Sequence, residues 1–539
     1  MTSTPSYRRS AILATVLATI ACGPVRSLAA QLATPVARAQ QPAPRLIVMI
    51  TVDQLLPQYF DRFATQLTGG LGRLAREGAM FTRAHQDHAI TETAPGHAST
   101  LSGRFPASTG IVMNSAGVGD AQAPLVQAEG PGASPYRFRG TTLTDWLRFK
   151  DSRTRALSVS RKDRGAILPL GRATQDVYWY VLNGKFTTST YYRDTLPDWV
   201  RQFNERNRPS TYAGRSWTLL LPPESYPEAD SVAVESGGRD FLFPHVAPGD
   251  SVQAARLLPE FPWMDDLTLD LALAGVTQLR LGSGPQTDVL AVSLSTTDAV
   301  GHRYGPDSRE IHDQILRLDR AVGRFLDSLL VLRSREHVAI ALTSDHGVAP
   351  FPELAARHSR PVSIRVDLAP LVRRTADALV ARGVDSTAFR VQEGMVLIDR
   401  AAFANARVNA DSAVNAFLVS VRQTPGVLRT DRLSTLRARN DVNDAIGRRW
   451  LHMIPNESDA VAVITLKPFN PGGRVTYAQH GSPHDYDTHV PLLLFGPWFT
   501  PGKYTSMVRV VDIAPTLAWI ARTKPTERLD GRVLRAALK

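Results

Sequence analysis

The chain has 539 residues, of which 43% are hydrophobic and 21% are charged. This composition is typical of a globular protein and excludes the collagen-like, coiled-coil and disordered classes. The net charge of +12 is carried by dispersed basic residues. It therefore argues against nucleic acid as a dedicated partner and suits a protein that attracts anions. Cys22 is the only cysteine, so no intramolecular disulfide can form.

Residues 1–39 have the features of an export signal and leader. Arg8 and Arg9 form a basic start, and the apolar run at 11–21 is too short to span a membrane. The arginine pair indicates twin-arginine export, and Cys22 leaves lipid anchoring open as an alternative. We therefore expect a periplasmic or secreted protein without a transmembrane span.

Short, unbroken apolar runs recur along the rest of the chain. They predict strands of a mostly parallel sheet that is covered by helices on both faces. The runs lie at 46–52, 289–294, 338–342, 460–466 and 490–495. Between the second and third runs, apolar residues at 307–332 are spaced by three and four, which predicts a covering helix capped by Asp307 and Glu310.

Two long stretches of mixed character, at about 120–285 and 350–457, separate these runs. We interpret both as insertions, because strand-like runs resume after each of them. The second stretch contains a predicted helix at 411–422. The predicted fold class is α/β: one domain over 40–539 with a mostly parallel central sheet, flanking helices and inserted subdomains.

Metal-ligand side chains follow three of the predicted strands. Asp53 ends the first run, Asp298 and His302 follow the second, and Asp345 and His346 follow the third. Ligands of open parallel sheets bind beyond the carboxyl ends of the strands. A single aspartate at such a position is usually a helix cap or turn former. Together, these side chains favour a divalent-cation site.

Thr93 is the candidate nucleophile. It lies in the segment TETAPGHAS at 91–99, just ahead of a predicted helix that begins near His97. A threonine hydroxyl becomes a useful nucleophile when a neighbouring cation lowers its pKa. The alternative is that Thr91 or Thr93 only caps the helix. We expect His97 to pack or hydrogen-bond locally, outside the site.

Several short motifs occur in a specific order and combination: VDQ (52–54), TETAPGHAS (91–99), GIVMNS (110–115), SRKDRG (160–165), STTDAVGHRYG (295–305), TSDHG (343–347) and HGSPHDYDTHV (480–490). By these motifs the chain resembles the alkaline phosphatase superfamily, in its type I phosphodiesterase/nucleotide pyrophosphatase branch. The likeness is strongest to the monomeric bacterial alkaline phosphatases of the PafA type, which have a threonine nucleophile. The matching segments run from Asp53 to the C-terminus.

The resemblance implies an alkaline-phosphatase-like fold and two zinc ions, one on either side of the phosphoryl group. It assigns one ion to Asp298, His302 and His480, and the other to Asp53, Asp345, His346 and Thr93. His480 is preferred over His484 and His489 because a glycine follows it. Aspartate and histidine ligand sets also accept other divalent ions.

The resemblance further implies hydrolysis of phosphate monoesters through a phosphothreonine on Thr93. Asn114, Lys162 and Arg164 are expected to contact the phosphoryl oxygens. The positively charged side chains of Lys162 and Arg164 favour a monoester dianion as substrate. The implied partners are small-molecule phosphate esters, and the implied oligomeric state is a monomer.

Three other functions are alternatives on this sequence. A phosphodiesterase or nucleotide pyrophosphatase on the same two-metal scaffold is the main alternative. A sulfatase is disfavoured, because the turn at 93–96 lacks the cysteine or serine that becomes formylglycine. A non-catalytic phosphate-binding protein is disfavoured, because Thr93 and all the expected ligands are present.

Overall fold

The structure is a computed structural model, and it describes residues 41–206, 209–355, 360–473 and 477–539. The predicted export signal and Cys22 lie outside the described residues. The strands are β1 (Leu46–Val52), β2 (Ala79–His85), β3 (Ala156–Ser160), β4 (Asp176–Val181), β5 (Lys185–Thr187), β6 (Ser216–Trp217), β7 (His245–Val246), β8 (Asp288–Leu294), β9 (Val338–Thr343), β10 (Phe389–Gln392), β11 (Met395–Ile398), β12 (Val427–Arg432), β13 (Ala460–Leu466), β14 (His489–Phe495), β15 (Gly502–Tyr504) and β16 (Val508–Arg509).

The α-helices are α1 (Gln58–Arg62), α2 (Gly70–Glu77), α3 (Thr93–Ser102), α4 (Pro106–Thr109), α5 (Leu143–Lys150), α6 (Asp163–Ile167), α7 (Asp198–Arg206), α8 (Ser251–Leu257), α9 (Trp263–Gln278), α10 (Thr296–Tyr304), α11 (Arg309–Arg333), α12 (Ala369–Val380), α13 (Arg400–Asn405), α14 (Ala410–Arg422), α15 (Leu433–Arg439), α16 (Ala445–Met453), α17 (Asp485–Thr488) and α18 (Ile513–Ile520). No helix among the described residues is both long enough and apolar enough to cross a membrane.

The central sheet has the strand order β15-β2-β14-β9-β1-β8-β3-β4-β5, and β16 also pairs with β2. Strands β9, β1, β8, β3 and β4 are parallel to one another. In this register Leu46 lies opposite both Asp288 and Val338. The carboxyl ends of β1, β8 and β9 therefore lie level with one another at one edge of the sheet.

The sheet is covered on both faces. Every residue of β1 is buried. Its alternate residues Leu46, Val48 and Ile50 pack into one hydrophobic cluster, together with residues of α9 and α11. Ile47 and Met49 pack into a second cluster with residues of α3, α5 and α18. A strand between two apolar layers has apolar side chains at nearly every position. The predicted fold class, a mostly parallel sheet covered by helices, is confirmed.

The predicted covering helix forms as α11, but its cap differs from the prediction. Ser308 is the capping residue, and its hydroxyl accepts a hydrogen bond from the Ile311 backbone N–H at 3.1 Å. Glu310 is buried instead and pairs with His245 at 3.0 Å. Asp307 forms an ion pair with Arg360. The long-range partners of Asp307 and Glu310 explain why neither carboxylate caps the helix.

Two of the predicted strands do not join the parallel sheet as parallel strands. Residues 460–466 form β13, which belongs to a separate antiparallel sheet of order β10-β11-β13-β12. The run at 490–495 lies in β14, which is antiparallel to both of its neighbours. Strand β13 is buried between two small apolar clusters. The apolar sequence of β13 therefore resembles the sequence of a strand in a covered parallel sheet.

The stretch 120–285 is more than an insertion, which corrects the prediction. It supplies β3, β4 and β5, which extend the central sheet beyond β8. β3 (ALSVS) and β4 (DVYWYV) mix polar or aromatic residues with aliphatic ones. Because the prediction relied on purely aliphatic runs, these strands were not recognised. The helix expected at 411–422 forms as α14.

Candidate metal centre and nucleophile

The level strand ends bring the expected ligands together. Asp53 directly follows β1, and the adjacent pair Asp345 and His346 follows β9. Asp298 and His302 lie one turn apart on α10, which begins just after β8, and His302 Nε2 is 3.3 Å from Asp298 Oδ1. Four of these five side chains are buried, and His302 is half-buried.

Three histidines converge on the carboxylate of Asp298. The Nε2 atoms of His302, His480 and His346 lie 3.3, 3.8 and 4.0 Å from its Oδ1 atom. The rings of His346 and His480 stack, with their centroids 3.6 Å apart. Asp298, His346 and His480 thus form one group that could hold a metal ion.

Backbone carbonyls fix the orientation of all three imidazole rings. The Nδ1 atoms of His302, His480 and His346 donate to the carbonyl oxygens of Ala478, Thr91 and Gly347, at 2.6, 2.7 and 2.9 Å. A carbonyl oxygen only accepts, so Nδ1 carries the proton in each ring. In the neutral ring, Nε2 then presents its lone pair toward Asp298. This second contact is what orients a metal-binding histidine.

The pKa values in this group follow from burial and close charges. Burial alone would raise the pKa of Asp298, but Lys162 and His302 hold it well below its ordinary value. Burial and the neighbouring His346 and His302 keep the pKa of His480 well below its ordinary value. His480 is therefore neutral near pH 7, as a metal ligand must be.

The carboxylates of Asp53 and Asp345 form a second group that could hold a metal ion, with His97 between them. His97 Nε2 is 3.5 Å from Asp53 Oδ1, and its Nδ1 is 3.4 Å from Asp345 Oδ2. His97 Nδ1 also makes the local hydrogen bond that was predicted, to the Thr93 carbonyl oxygen one turn earlier on α3 at 2.9 Å. The ring nevertheless lies between the two carboxylates and not outside the site. His346, expected beside Asp345, lies between the groups, with its Nε2 3.3 Å from Asp345 Oδ2.

Thr93 is the first residue of α3, and its side chain is buried beside these groups. Lys162 Nζ lies 3.2 Å from Thr93 Oγ1, and it is also 2.8 Å from Asp53 Oδ2 and 2.7 Å from Asp298 Oδ2. A single ammonium group therefore contacts the candidate nucleophile and one carboxylate from each group. These contacts place Thr93 within the predicted centre.

Asn114 and Arg164 lie farther from the Thr93 hydroxyl. The Asn114 side-chain oxygen accepts a hydrogen bond from the backbone N–H of Ala94, the residue after Thr93, at 2.8 Å. The Arg164 guanidinium lies 3.5 Å from Asp163. Burial raises the pKa of Glu92, the residue before Thr93, to about 7, and the charge of Arg164 opposes that rise. Both side chains flank the start of α3 without contacting Thr93 Oγ1.

The structure separates His480 from the other two late histidines. His484 Nε2 donates to the Leu466 carbonyl at 2.8 Å, and His489 Nε2 donates to the Thr82 carbonyl at 2.8 Å. Both Nε2 atoms are therefore bound to backbone carbonyl oxygens. Of the late histidines, His480 is the one whose Nε2 atom approaches Asp298.

Two further residues reach the centre without having been predicted. The Arg161 guanidinium lies 3.7 Å from Asp298 Oδ2. Gln54 donates to Asp298 Oδ1 through its side-chain amide at 3.0 Å. Both are adjacent to residues that were predicted, but sequence spacing alone does not show which neighbours turn inward.

The donor set fits divalent cations. Asp345 Oδ2 and His346 Nε2 are buried and have no hydrogen-bond partner among the described residues. An unpartnered buried carboxylate oxygen and imidazole nitrogen are costly unless a cation binds them. Carboxylate oxygens and imidazole nitrogens are ligands that zinc accepts. The Asp298 group and the Asp53 group are adjacent, since Lys162 contacts both.

Comparison with known proteins assigns the chain to one family. Residues 47–422 match the family described as Type I phosphodiesterase / nucleotide pyrophosphatase. The chain belongs to this family, and the resemblance inferred from its motifs is confirmed.

Several relatives that match the chain along most of its length are named alkaline phosphatases, and another is named a calcium-transporting ATPase. Alkaline phosphatase PafA of Elizabethkingia meningoseptica is 29% identical over 532 residues, covering 91% of this chain and 95% of the relative. Alkaline phosphatase PhoV of Synechococcus elongatus is 30% identical over 528 residues, covering 92% and 93%. The crystal structure of wild-type PafA matches with a TM-score of 0.85 at 26% identity, covering 92% and 99%.

Proposed function

We propose that the protein is a zinc-dependent alkaline phosphatase that hydrolyses phosphate monoesters through a phosphothreonine on Thr93. The observation that carries the proposal is the placement of Lys162 Nζ within 3.2 Å of Thr93 Oγ1, Asp53 and Asp298. A nucleophile, a cation and acidic ligands from two strand ends thus share one buried cluster. The names of the two relatives and of the crystal structure support the same activity.

The ligand sets proposed for the two zinc ions are those that the resemblance implies. Asp298, His302 and His480 would hold one ion, and Asp53, Asp345, His346 and Thr93 the other. When bound, two zinc ions supply Lewis acidity that lowers the pKa of a hydroxyl and neutralises charge on the entering and leaving oxygens.

The side chains of the protein have distinct roles in this proposal. Thr93 Oγ1 gives up its proton to solvent and bonds to phosphorus as the bond from phosphorus to the ester oxygen breaks, and the leaving alkoxide takes up a proton from solvent. A water oxygen then bonds to phosphorus as the bond to Thr93 Oγ1 breaks, which releases phosphate and restores the Thr93 hydroxyl. The ammonium group of Lys162, next to Thr93 Oγ1, binds a non-bridging phosphoryl oxygen. Asn114 and Arg164, which flank the start of α3, complete the phosphoryl contacts. Each cationic contact favours a dianionic monoester over a monoanionic diester.

We also propose export to the periplasm or beyond. The basic start and short apolar run in residues 1–39 support an export signal. Cleavage assigned by N-terminal sequencing of the mature protein tests this, and a lipid-modified Cys22 would favour anchoring.

The decisive experiment compares an aryl phosphate monoester with a bis(aryl) diester. Thr93→Ala should lose turnover of both esters, while Thr93→Ser should keep part of it because a hydroxyl remains. Lys162→Ala and Arg164→Ala should lose kcat/KM selectively on the monoester. Lys185→Ala, in the exposed part of β5, is the matched control and should leave both rates unchanged.

Metal analysis completes the test, with two equivalents of zinc expected per chain. An unchanged monoester-to-diester ratio in both basic variants would support the alternative, a phosphodiesterase or nucleotide pyrophosphatase, which the family description also names. Full activity of Thr93→Ala would refute the nucleophile.

A further inference from the structure

Gln54 follows Asp53 directly and has an unusual backbone conformation. Its φ angle is 64°, and its side chain is buried. A buried residue other than glycine is unfavourable in this left-handed region. Such strain persists where the surrounding structure imposes it, and it concentrates at functional sites.

The left-handed conformation lets Gln54 contact two carboxylates at once. Its backbone N–H donates to Asp345 Oδ1 at 3.2 Å, and its side-chain Nε2 donates to Asp298 Oδ1 at 3.0 Å. Asp345 follows β9 and Asp298 lies on α10 after β8, so they flank Gln54 from opposite sides of β1. Each belongs to a different one of the two proposed zinc sites.

Space for the Gln54 side chain comes from Gly301, which lies between Asp298 and His302 on α10. A Cβ atom at position 301 would lie 1.7 Å from Gln54 Oε1. Glycine inside a helix is less favourable than alanine. In addition, Gln54 Oε1 is buried without a hydrogen-bond partner among the described residues. Three features here therefore do not favour stability: the backbone conformation of Gln54, its unpaired Oε1 atom and the glycine inside α10.

We propose that Gln54 is a positioning residue that fixes the separation of the Asp298 and Asp345 carboxylates, and thereby the spacing of the two cation sites. The inference rests on the proposed two-ion function. Gln54 takes no part in bond making. Its amide groups donate to one carboxylate from each proposed zinc site and so link the two sites directly.

The proposal predicts that relieving these unfavourable features weakens cation binding without weakening the fold. Gln54→Gly breaks the bridge by removing the side-chain donor to Asp298, keeps the backbone N–H that donates to Asp345, and accommodates the positive φ angle. Gly301→Ala displaces the Gln54 side chain while improving the helix. Gln54→Glu keeps the side-chain volume but replaces the donating amide with a carboxylate that repels Asp298. Gln127→Gly is the matched control, because Gln127 also has a positive φ angle (54°) but is exposed and outside the site.

The experiment titrates the metal-free full chain with zinc buffered by a competing chelator and fits two dissociation constants. We expect at least one constant to rise by about tenfold or more in the three site variants and to stay unchanged in Gln127→Gly. The thermal midpoint of metal-free Gln54→Gly and Gly301→Ala should equal or exceed that of the wild type. The double variant should bind zinc as Gln54→Gly does, since no side chain is left to displace.

Wild-type constants in Gln54→Gly and Gly301→Ala would overturn the inference. So would a fall in the metal-free thermal midpoint of both variants, because Gln54 would then serve the fold. If the wild type itself binds fewer than two zinc ions, the proposed function fails instead.

Discussion

A buried carboxylate beneath α10 allows a quantitative prediction. Asp265 lies in the first turn of α9 and is 1% exposed. It accepts hydrogen bonds from the Thr296 backbone N–H at 3.3 Å and from Gln314 Nε2 at 2.9 Å. It has no ion-pair partner within 4 Å in the part of the chain that the structure describes. Burial raises its pKa from 3.8 to about 7.

This shift makes the native state favour the protonated form. The contribution of protonated Asp265 to the free energy of unfolding is fully present below about pH 4. It declines as the pH rises toward 7 and is absent above that. A difference between pKa values of 3.8 and about 7 corresponds to roughly 4 kcal/mol. Asp265→Asn stays neutral, and Gln314 can turn its amide so that its unpartnered Oε1 accepts from the new amide.

We therefore expect Asp265→Asn to match the wild type near pH 4 and to be more stable at pH 8–9 by roughly 2–4 kcal/mol. For a chain of this size, that gain raises the thermal midpoint by about 2–4 °C. The assay is thermal unfolding of the metal-free chain from pH 4 to 9. Asp198→Asn, an exposed aspartate in the first turn of α7, is the control. A difference that does not change with pH, or a loss of stability at pH 8, would refute the reasoning.

Three further predictions follow from particular contacts. His480→Ala should lose at least one bound zinc ion and nearly all turnover, whereas His489→Ala should keep both ions; metal analysis and phosphatase assays distinguish them. Ser308→Ala should lower the free energy of unfolding by about 1 kcal/mol, measured by urea denaturation, with kcat unchanged; a lower kcat would contradict a purely capping role. Gly96→Ala would place a Cβ atom 2.4 Å from the Asp345 carbonyl oxygen, so it should cost about 1–3 kcal/mol and reduce kcat. A fully active and stable Gly96→Ala protein would mean that α3 does not need this close approach.

Local sequence patterns determined the elements that frame the site. Strands β1, β8 and β9 follow from apolar runs, because a doubly covered strand tolerates few polar residues. Helix α11 follows from its apolar spacing. Since Asp53, Asp298 and Asp345 each follow such a strand, their convergence at one edge of the sheet could be inferred from strand ends alone.

Only the tertiary structure decided which side chains turn toward that edge and where ambiguous elements belong. Strand β13 joins a separate antiparallel sheet, although its sequence has the same apolar character as β1. Gln54 bridges two carboxylates that lie 244 and 291 residues away along the chain, and His97 lies between Asp53 and Asp345. These contacts depend on the packing of α3 and α10 against strand ends. No periodicity in the sequence encodes that packing, because each contact joins segments that meet only after the sheet has formed.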